Sequence, residues 1–259
     1  MNNIKISVVS VSFNSKNTID NAISSVISQS CKNIEYIAID GGSTDGTVDI
    51  IKSYGGKITK FISEPDKGIY DAMNKGIRMA SGDVIGILNS DDMYADDAVL
   101  KDVAETFERT GADAVYGDLV YVDKDDTNKV VRYWKSGPYK PGSFRKGWHP
   151  AHPALFVRKA IYDKYGVFDT SFDISADFEL MLRFFEKHKI KTAYLPRVLV
   201  KMRMGGESNG SLANIIKGNV NILRAFWRNG IFVTPLYTLK RAWGKMKQFK
   251  EQAVSSNVE

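Results

Sequence analysis

Val84-Ile85-Gly86-Ile87-Leu88-Asn89-Ser90-Asp91-Asp92 decides the fold. A nearly unbroken apolar run is what a strand buried on both faces of a parallel sheet requires. This run ends on two adjacent carboxylates, and open α/β sheets place ligands at the carboxyl ends of their strands. No Lys or Arg lies between Arg78 and Lys101 to neutralise Asp91 and Asp92. Two readings of the pair follow. Hard oxygen ligands at a strand end suit Mg²⁺ or Mn²⁺ shared with substrate phosphates. Alternatively, one of the two caps a helix predicted over Ala95 to Arg109.

The chain before this strand alternates strands and helices, with no internal repeat of sequence. Ile4 to Val11 reads as a buried strand, and Thr18 to Ser28 as a helix with Ile19, Ala22, Ile23, Val26 and Ile27 on one face. Ile34 to Ile39 is a second strand, ending at Asp40. The turn Gly41 to Thr47 leads into a helix through Ile50, Ile51 and Tyr54. Lys57 to Ser63 is a third strand, and Ile69 to Met79 a helix stopped by Gly82. Strand–helix alternation predicts right-handed crossovers and a mostly parallel sheet flanked by helices. Downstream, Ala114 to Val122, Val130 to Trp134, Ala154 to Arg158 and Val198 to Met204 read as strands. Ser175 can cap a helix running through Arg183.

Composition narrows the function. The chain has 259 residues and one cysteine, Cys31, so no internal disulfide is expected, which fits a reducing compartment. Neither a signal-peptide core near the start nor an apolar run of the ~20 residues that span a bilayer is visible. Net charge is +6, and from Ala213 onward eight Lys and Arg stand against Glu251 and Glu259, which accounts for all of it. Attraction to anionic partners is therefore a property of the tail. Ala213 to Trp227 and Leu236 to Phe249 read as basic amphipathic helices. They are suited either to an anionic membrane surface or to packing back on the body. Nucleic-acid binding is not expected, because the body has no basic surplus and its aromatics do not interleave as a stacking platform. A dinucleotide fold is not expected either, since the first turn, Ser12 to Asn17, has no glycine.

Four segments in order carry a resemblance: Val8 to Asn14, Ile39 to Thr47, Glu64 to Gly76 and Leu88 to Asp92. Together the set resembles family 2 glycosyltransferases of the GT-A fold, over roughly residues 4 to 208. Within that family it is similar to bacterial enzymes of O-antigen, capsule and exopolysaccharide assembly. The resemblance implies an α/β, Rossmann-like domain over residues 1–210, with a donor half to about 122, an acceptor half from 123, and a helical tail over 211–259. It implies an inverting hexosyltransferase that moves a sugar from a nucleotide sugar, commonly a UDP-sugar, to a saccharide or lipid-linked saccharide. The place of work would be the cytoplasm, with peripheral attachment to the inner face of the plasma membrane. A polyprenyl-phosphate glycosyltransferase and a non-catalytic nucleotide- or carbohydrate-binding module are the alternatives.

By residue, the resemblance makes Asp92 the ligand of Mg²⁺ or Mn²⁺ and turns Asp91 toward ribose or sugar. Asp40 contacts the base, Phe13 stacks on it, and Val11 and Asn14 line the same pocket. Asp177, in Ala176-Asp177-Phe178-Glu179-Leu180-Met181-Leu182-Arg183, matches the general base, with Glu179 ranked second and Arg183 packing locally or orienting a carboxylate. The chain departs from the family twice. Many members have Asp-Asp-Gly-Ser where Asp40-Gly41-Gly42-Ser43 stands, and Arg-Asn where Met73-Asn74 stands. Lys67 is the candidate to replace that arginine on a phosphate. In Gly147-Trp148-His149-Pro150-Ala151-His152-Pro153 the prolines force extended backbone, so the histidines do not form a helical metal pair. Trp148, His149 and His152 read either as a wall against the acceptor, with Trp148 stacking on a sugar, or as a structural loop. Met204 to Ser208 resembles a family loop over the donor diphosphate.

Overall fold

The sheet begins with β1 (Ile6–Ser12), β2 (Ile34–Asp40), β3 (Lys60–Ser63) and β4 (Val84–Asn89), all parallel in the order β3-β2-β1-β4. The structure is a computed structural model describing residues 4–205 and 212–234 together with Tyr237. Between these strands run α1 (Ile19–Ile27), α2 (Thr47–Ser53) and α3 (Ile69–Met79). Each crossover helix buries one apolar stripe, as Ile19, Ala22, Ile23 and Val26 do in α1.

Beyond β4 the sheet becomes mixed. The remaining strands are β5 (Met93–Tyr94), β6 (Ala114–Val122), β7 (Val130–Trp134), β8 (Leu155–Arg158) and β9 (Thr192–Arg203). The described strands form one nine-stranded sheet, β3-β2-β1-β4-β8-β6-β9-β5, with β7 hydrogen-bonded to β6. β8 runs antiparallel to both β4 and β6, whereas β9 runs parallel to β6. At the β4–β8 contact Gly86 faces Phe156, and a Cβ there would lie 2.5 Å from the Phe156 ring, so any other residue would have to displace that ring.

Helices cover both faces. One core joins Val9, Val11, Ile85 and Ile87 to α3, α5 (Lys159–Tyr165), α6 (Ala176–Leu182) and α7 (Leu212–Arg228). The other joins Ile6, Val8, Val84 and Leu88 to α1, α2 and α4 (Val99–Thr110). Successive side chains of β1 and β4 thus enter opposite cores, as the period of a strand demands.

Three local expectations are corrected. Asp91 and Asp92 do not cap a helix: α4 starts at Val99, after β5 has paired with β9 (Met93 opposite Lys201). Gly82 does not end α3, which stops when Ala80 turns extended; Gly82 instead lets the chain pass β1, where a Cβ would meet Ser7 Oγ at 2.7 Å. The closing strand is longer than Val198 to Met204, because β9 pairs with β6 from Thr192 onward.

The basic segment resolves into its first helix. α7 packs on α6 through Ile222, Ala225 and Phe226. Lys217 binds Asp173, Arg224 donates to the Ser171 carbonyl and hydroxyl, and Arg228 pairs with Asp169 at 3.1 Å. Those three cations therefore hold α7 to the body. The segment Leu236 to Phe249 lies outside the described residues, Tyr237 aside. No described helix is long and apolar enough to cross a membrane.

Candidate functional site

Strand register builds the site's floor. Ser12 lies opposite Asp40, Asp40 opposite Ser63, and Val11 opposite Asn89, so β1 to β4 end at one level. The chain leaves β1 toward β2 on one side while β4 lies on the other, and that reversal opens a crevice at the carboxyl edge. Phe13 crowns it, 63% exposed. Asn14, with φ 48°, turns the chain: its amide donates to Ser43 Oγ (2.8 Å) and its Oδ1 accepts from the Thr44 amide (3.0 Å). Ser15 and Ser90 share a 2.7 Å hydroxyl contact that joins the loops after β1 and β4.

Asp40 is not where the resemblance puts it. The side chain is fully buried and accepts five hydrogen bonds. Its Oδ1 takes the Ser12 and Ser43 hydroxyls, and its Oδ2 takes the Gly42 and Ser43 amides and the Ser63 hydroxyl. Burial alone would raise this carboxyl, but the Ser43, Ser63 and Ser12 bonds outweigh it and hold it below the usual carboxylate range. A carboxylate has about four lone-pair sites, so Asp40 has no capacity left for a base. It is the knot that folds the 41–47 loop onto β1 and β3. Val11 is corrected likewise: it is 4% exposed and packs in the core below the crevice. Asn14 spends its side-chain oxygen on the loop.

The two aspartates divide. Asp91 lines a cleft of about 620 Å³ with Asn17, Thr18, Asn21, Lys124, Asp125, Arg203, Met204 and Gly205. Asp92 is wholly buried; its Oδ2 accepts from Asn89 Nδ2 at 3.2 Å, while its buried Oδ1, like Asn89 Oδ1, has no hydrogen-bond partner among the described residues. Burial pushes the Asp92 carboxyl well above its ordinary value and Asp91 adds to this, with Asn89 and Arg203 opposing. The carboxylate open to the cleft is thus Asp91. Lys67 is exposed just before α3, its amide donating to Asp71 Oδ2 at 3.1 Å.

Asp177 lies in the first turn of α6, half-buried, where the helix dipole favours a carboxylate. Tyr70 on α3 donates its hydroxyl to Asp177 Oδ1 at 3.2 Å. Burial and the Asp177 charge raise the Tyr70 phenol well above 10, so it stays a donor. Asn74, also on α3, exchanges two 2.9 Å bonds with the Phe168 backbone. These bonds stitch the donor-side helix to the half that carries Asp177. His152 meets Phe168 edge-on at 5.4 Å; burial lowers its pKa, with Asp177 opposing.

The other acceptor candidates turn inward. Glu179 is 3% exposed, pairs with Arg183 Nε at 3.0 Å and accepts from Asn229 Nδ2 at 3.0 Å, so it anchors α7 to α6. Arg183 also donates to the Tyr165, Gly166 and Val167 carbonyls, the local packing expected of it. Trp148, half-buried, sits among Tyr116, Tyr139 and Phe144 at the edge of the core and donates Nε1 to the Ser136 carbonyl. His149 stands edge-on between Trp134 and Phe178. Sequence reasoning missed Tyr70, although it falls inside the Glu64 to Gly76 motif. It also missed Arg203, which precedes the expected Met204 to Ser208 loop; residues 206–208 of that loop lie outside the described residues.

The model of glycosyl transferase family 2 matches residues 7–166. The chain belongs to this family. A Mycobacterium tuberculosis protein named PGL/p-HBAD biosynthesis glycosyltransferase is 25% identical over 228 residues, covering 86% of this chain and 85% of that one. An uncharacterized glycosyltransferase of the same species is 33% identical over 180 residues, 69% of this chain and 68% of that one. Staphylococcus aureus TarS 1-349 in complex with UDP-GlcNAc superposes with a TM-score of 0.66 at 17% identity, over 91% of this chain and 69% of that chain. Against a longer TarS chain the match spans 44% of TarS. A Pyrobaculum calidifontis mannosyltransferase with GDP-Man and Mn²⁺ gives 0.64 at 15% identity, over 99% of this chain and 76% of that one. The fold is therefore GT-A, and this family 2 member is a glycosyltransferase.

Proposed function

We propose that this glycosyltransferase moves a sugar, with inversion, from a UDP-sugar to a saccharide acceptor carried on a lipid, in bacterial surface polysaccharide assembly at the cytoplasmic face of the membrane. The observation that carries the reading is the Tyr70–Asp177 bond, which joins residues 107 apart and brings a helix-N-terminal carboxylate against the donor-side helix. The nucleotide sugars named with the TarS and mannosyltransferase structures support a donor of this class.

Asp177 then accepts the proton of the acceptor hydroxyl as that oxygen attacks the anomeric carbon. The bond from that carbon to the diphosphate oxygen breaks with its electron pair on the diphosphate, and a single displacement inverts the centre. An α-linked donor yields a β-linkage. One carboxylate suffices at the acceptor, unlike the paired carboxyls of retaining glycosidases. Tyr70 aims Asp177, and Phe13 offers its open face to the base.

Mg²⁺ or Mn²⁺ fits beside Asp91 and Asp92: one carboxylate faces the cleft, and the next has a buried oxygen, Oδ1, with no hydrogen-bond partner among the described residues. Among the described residues no three His, Cys, Asp or Glu side chains group as a metal cage, so the two aspartates would share the ion with substrate phosphates. When bound, a divalent cation stabilises charge on a departing diphosphate. For the acceptor, α7 presents Ile216, Val220 and Trp227, each more than half exposed, on a face away from the body, which suits a lipid surface.

The test is UDP release from a panel of UDP-sugars. Wild type releases UDP in a metal-dependent way, and Asp177→Asn falls by roughly 100-fold or more while UDP affinity is unchanged. A folded Asp177→Asn protein that turns over at the wild-type rate removes Asp177 as the base. Binding without release by wild type favours the non-catalytic module.

A further inference from the structure

Position 41 is bare, and the space its side chain would occupy is filled. A Cβ on Gly41 would lie 2.6 Å from Asp66 Oδ2 and 3.4 Å from Phe13 Cδ2. Gly41 has none of the positive φ that would itself require glycine; that belongs to Gly42, at 83°. The absent side chain instead admits a carboxylate from the loop after β3, at the rim of the exposed Phe13 ring.

We propose that Asp66 reads the base of the donor nucleotide and selects uracil. This rests on the nucleotide-sugar reading above. Asp40, the acid the resemblance offers for this task, is spent on five hydrogen bonds. Asp66 is partly exposed, and its Oδ1 accepts from the Gly68 amide at 2.8 Å. That bond fixes the carboxylate and leaves Oδ2 on the Phe13 side. A base stacked on Phe13 therefore presents its edge to one carboxylate oxygen. Uracil offers a single N–H there, between two carbonyls. Guanine offers two adjacent N–H donors and matches a carboxylate best when both oxygens are available. Cytosine and adenine place a lone pair where uracil has its N–H, and a carboxylate repels it. Thymine shares the imide and is read alike.

The experiment is calorimetric titration of UDP, GDP and CDP, with Mn²⁺, into the full chain and its variants. Wild type binds UDP most tightly. Asp66→Asn keeps the shape but turns an NH₂ toward the base. It weakens UDP about 10- to 100-fold, the range for a lost bond to a charged group, and leaves CDP equal or tighter. The double variant Gly41→Asp/Asp66→Gly returns a carboxylate to the same space from the other side and restores the UDP preference. If Asp66 only shapes the start of α3, Asp66→Asn moves all three affinities by one factor, and the proposal falls. It also falls if wild type prefers GDP, if Asp66→Asn keeps UDP at full strength, or if the folded double variant shows no UDP preference. Wild type that binds none of the three overturns the nucleotide-sugar reading itself. Thermal midpoints of all variants, measured alongside, separate these results from unfolding.

Discussion

Replacing Asp40 with asparagine separates a folding role from a binding role. The wild-type carboxylate is buried and holds donors from β1, β3 and the 41–47 loop. An amide oxygen in the Oδ2 position keeps the Gly42 and Ser43 amides and the Ser63 hydroxyl. The NH₂ then faces the Ser12 and Ser43 hydroxyls, which must turn to accept. Bonds to a charged group exceed neutral ones by about 1 kcal/mol each, so the three survivors together lose about 3 kcal/mol. Relief of burying a charge offsets part of this, leaving a destabilisation of about 2 kcal/mol, a large share of a typical 5–15 kcal/mol. Urea denaturation followed by circular dichroism at pH 7 reads it as a lower midpoint at unchanged slope. The folded pKa of Asp40 lies below its ordinary 3.8. Its contribution is therefore complete above that value and is lost as pH falls through the folded pKa, so the gap between the two proteins closes in acid. The reasoning is refuted if Asp40→Asn is as stable as wild type and loses UDP affinity more than about tenfold, because Asp40 would then be touching the base.

Other residues give sharper single outcomes. Tyr70→Phe removes the donor on Asp177 and lowers kcat about tenfold, the worth of one hydrogen bond to a charged group, with KM for the donor nearly constant in steady-state kinetics. Glu35 is buried against Ser7, Ser81 and Lys60; burial would raise its carboxyl, but these partners pull it to about 2 from 4.5. It therefore stabilises the fold by about 3 kcal/mol above pH 4.5, and Glu35→Gln flattens the wild-type loss of stability between pH 4.5 and 2 in acid denaturation. Glu179→Ala strands the Arg183 charge and costs about 3–5 kcal/mol in urea melts; a folded variant with raised acceptor KM and normal stability would contradict its structural role.

The parallel half of the sheet was legible because each strand there is a short apolar run followed by a helix with one apolar face. α3, β6 and β7 lie where their patterns put them. β5 was not legible: two residues pair with β9 more than a hundred positions away, and nothing local marks that. α5, at Lys159–Tyr165, is too short for a periodic signal beside the strand it follows. At the site, the placement of Asp177 in a helix first turn and of Phe13 just after a strand end was legible in the chain itself, whereas the roles proposed for them come from the family resemblance. Asp40, Asp92 and Glu179 are charged residues whose burial depends on distant partners: Ser63 for Asp40, Arg203 for Asp92, Asn229 for Glu179. Residue type alone does not distinguish them from surface carboxylates. Gly41 was visible as a departure, but the carboxylate that takes its space comes from another loop.

A crystal structure of the full chain with a UDP-sugar and Mn²⁺ tests the central claim most directly. The account predicts the base on Phe13 with its imide edge toward Asp66, the diphosphate beside Asp91, and the sugar's anomeric carbon turned toward Asp177. A nucleotide bound away from Phe13, or an anomeric carbon facing away from Asp177, would contradict it.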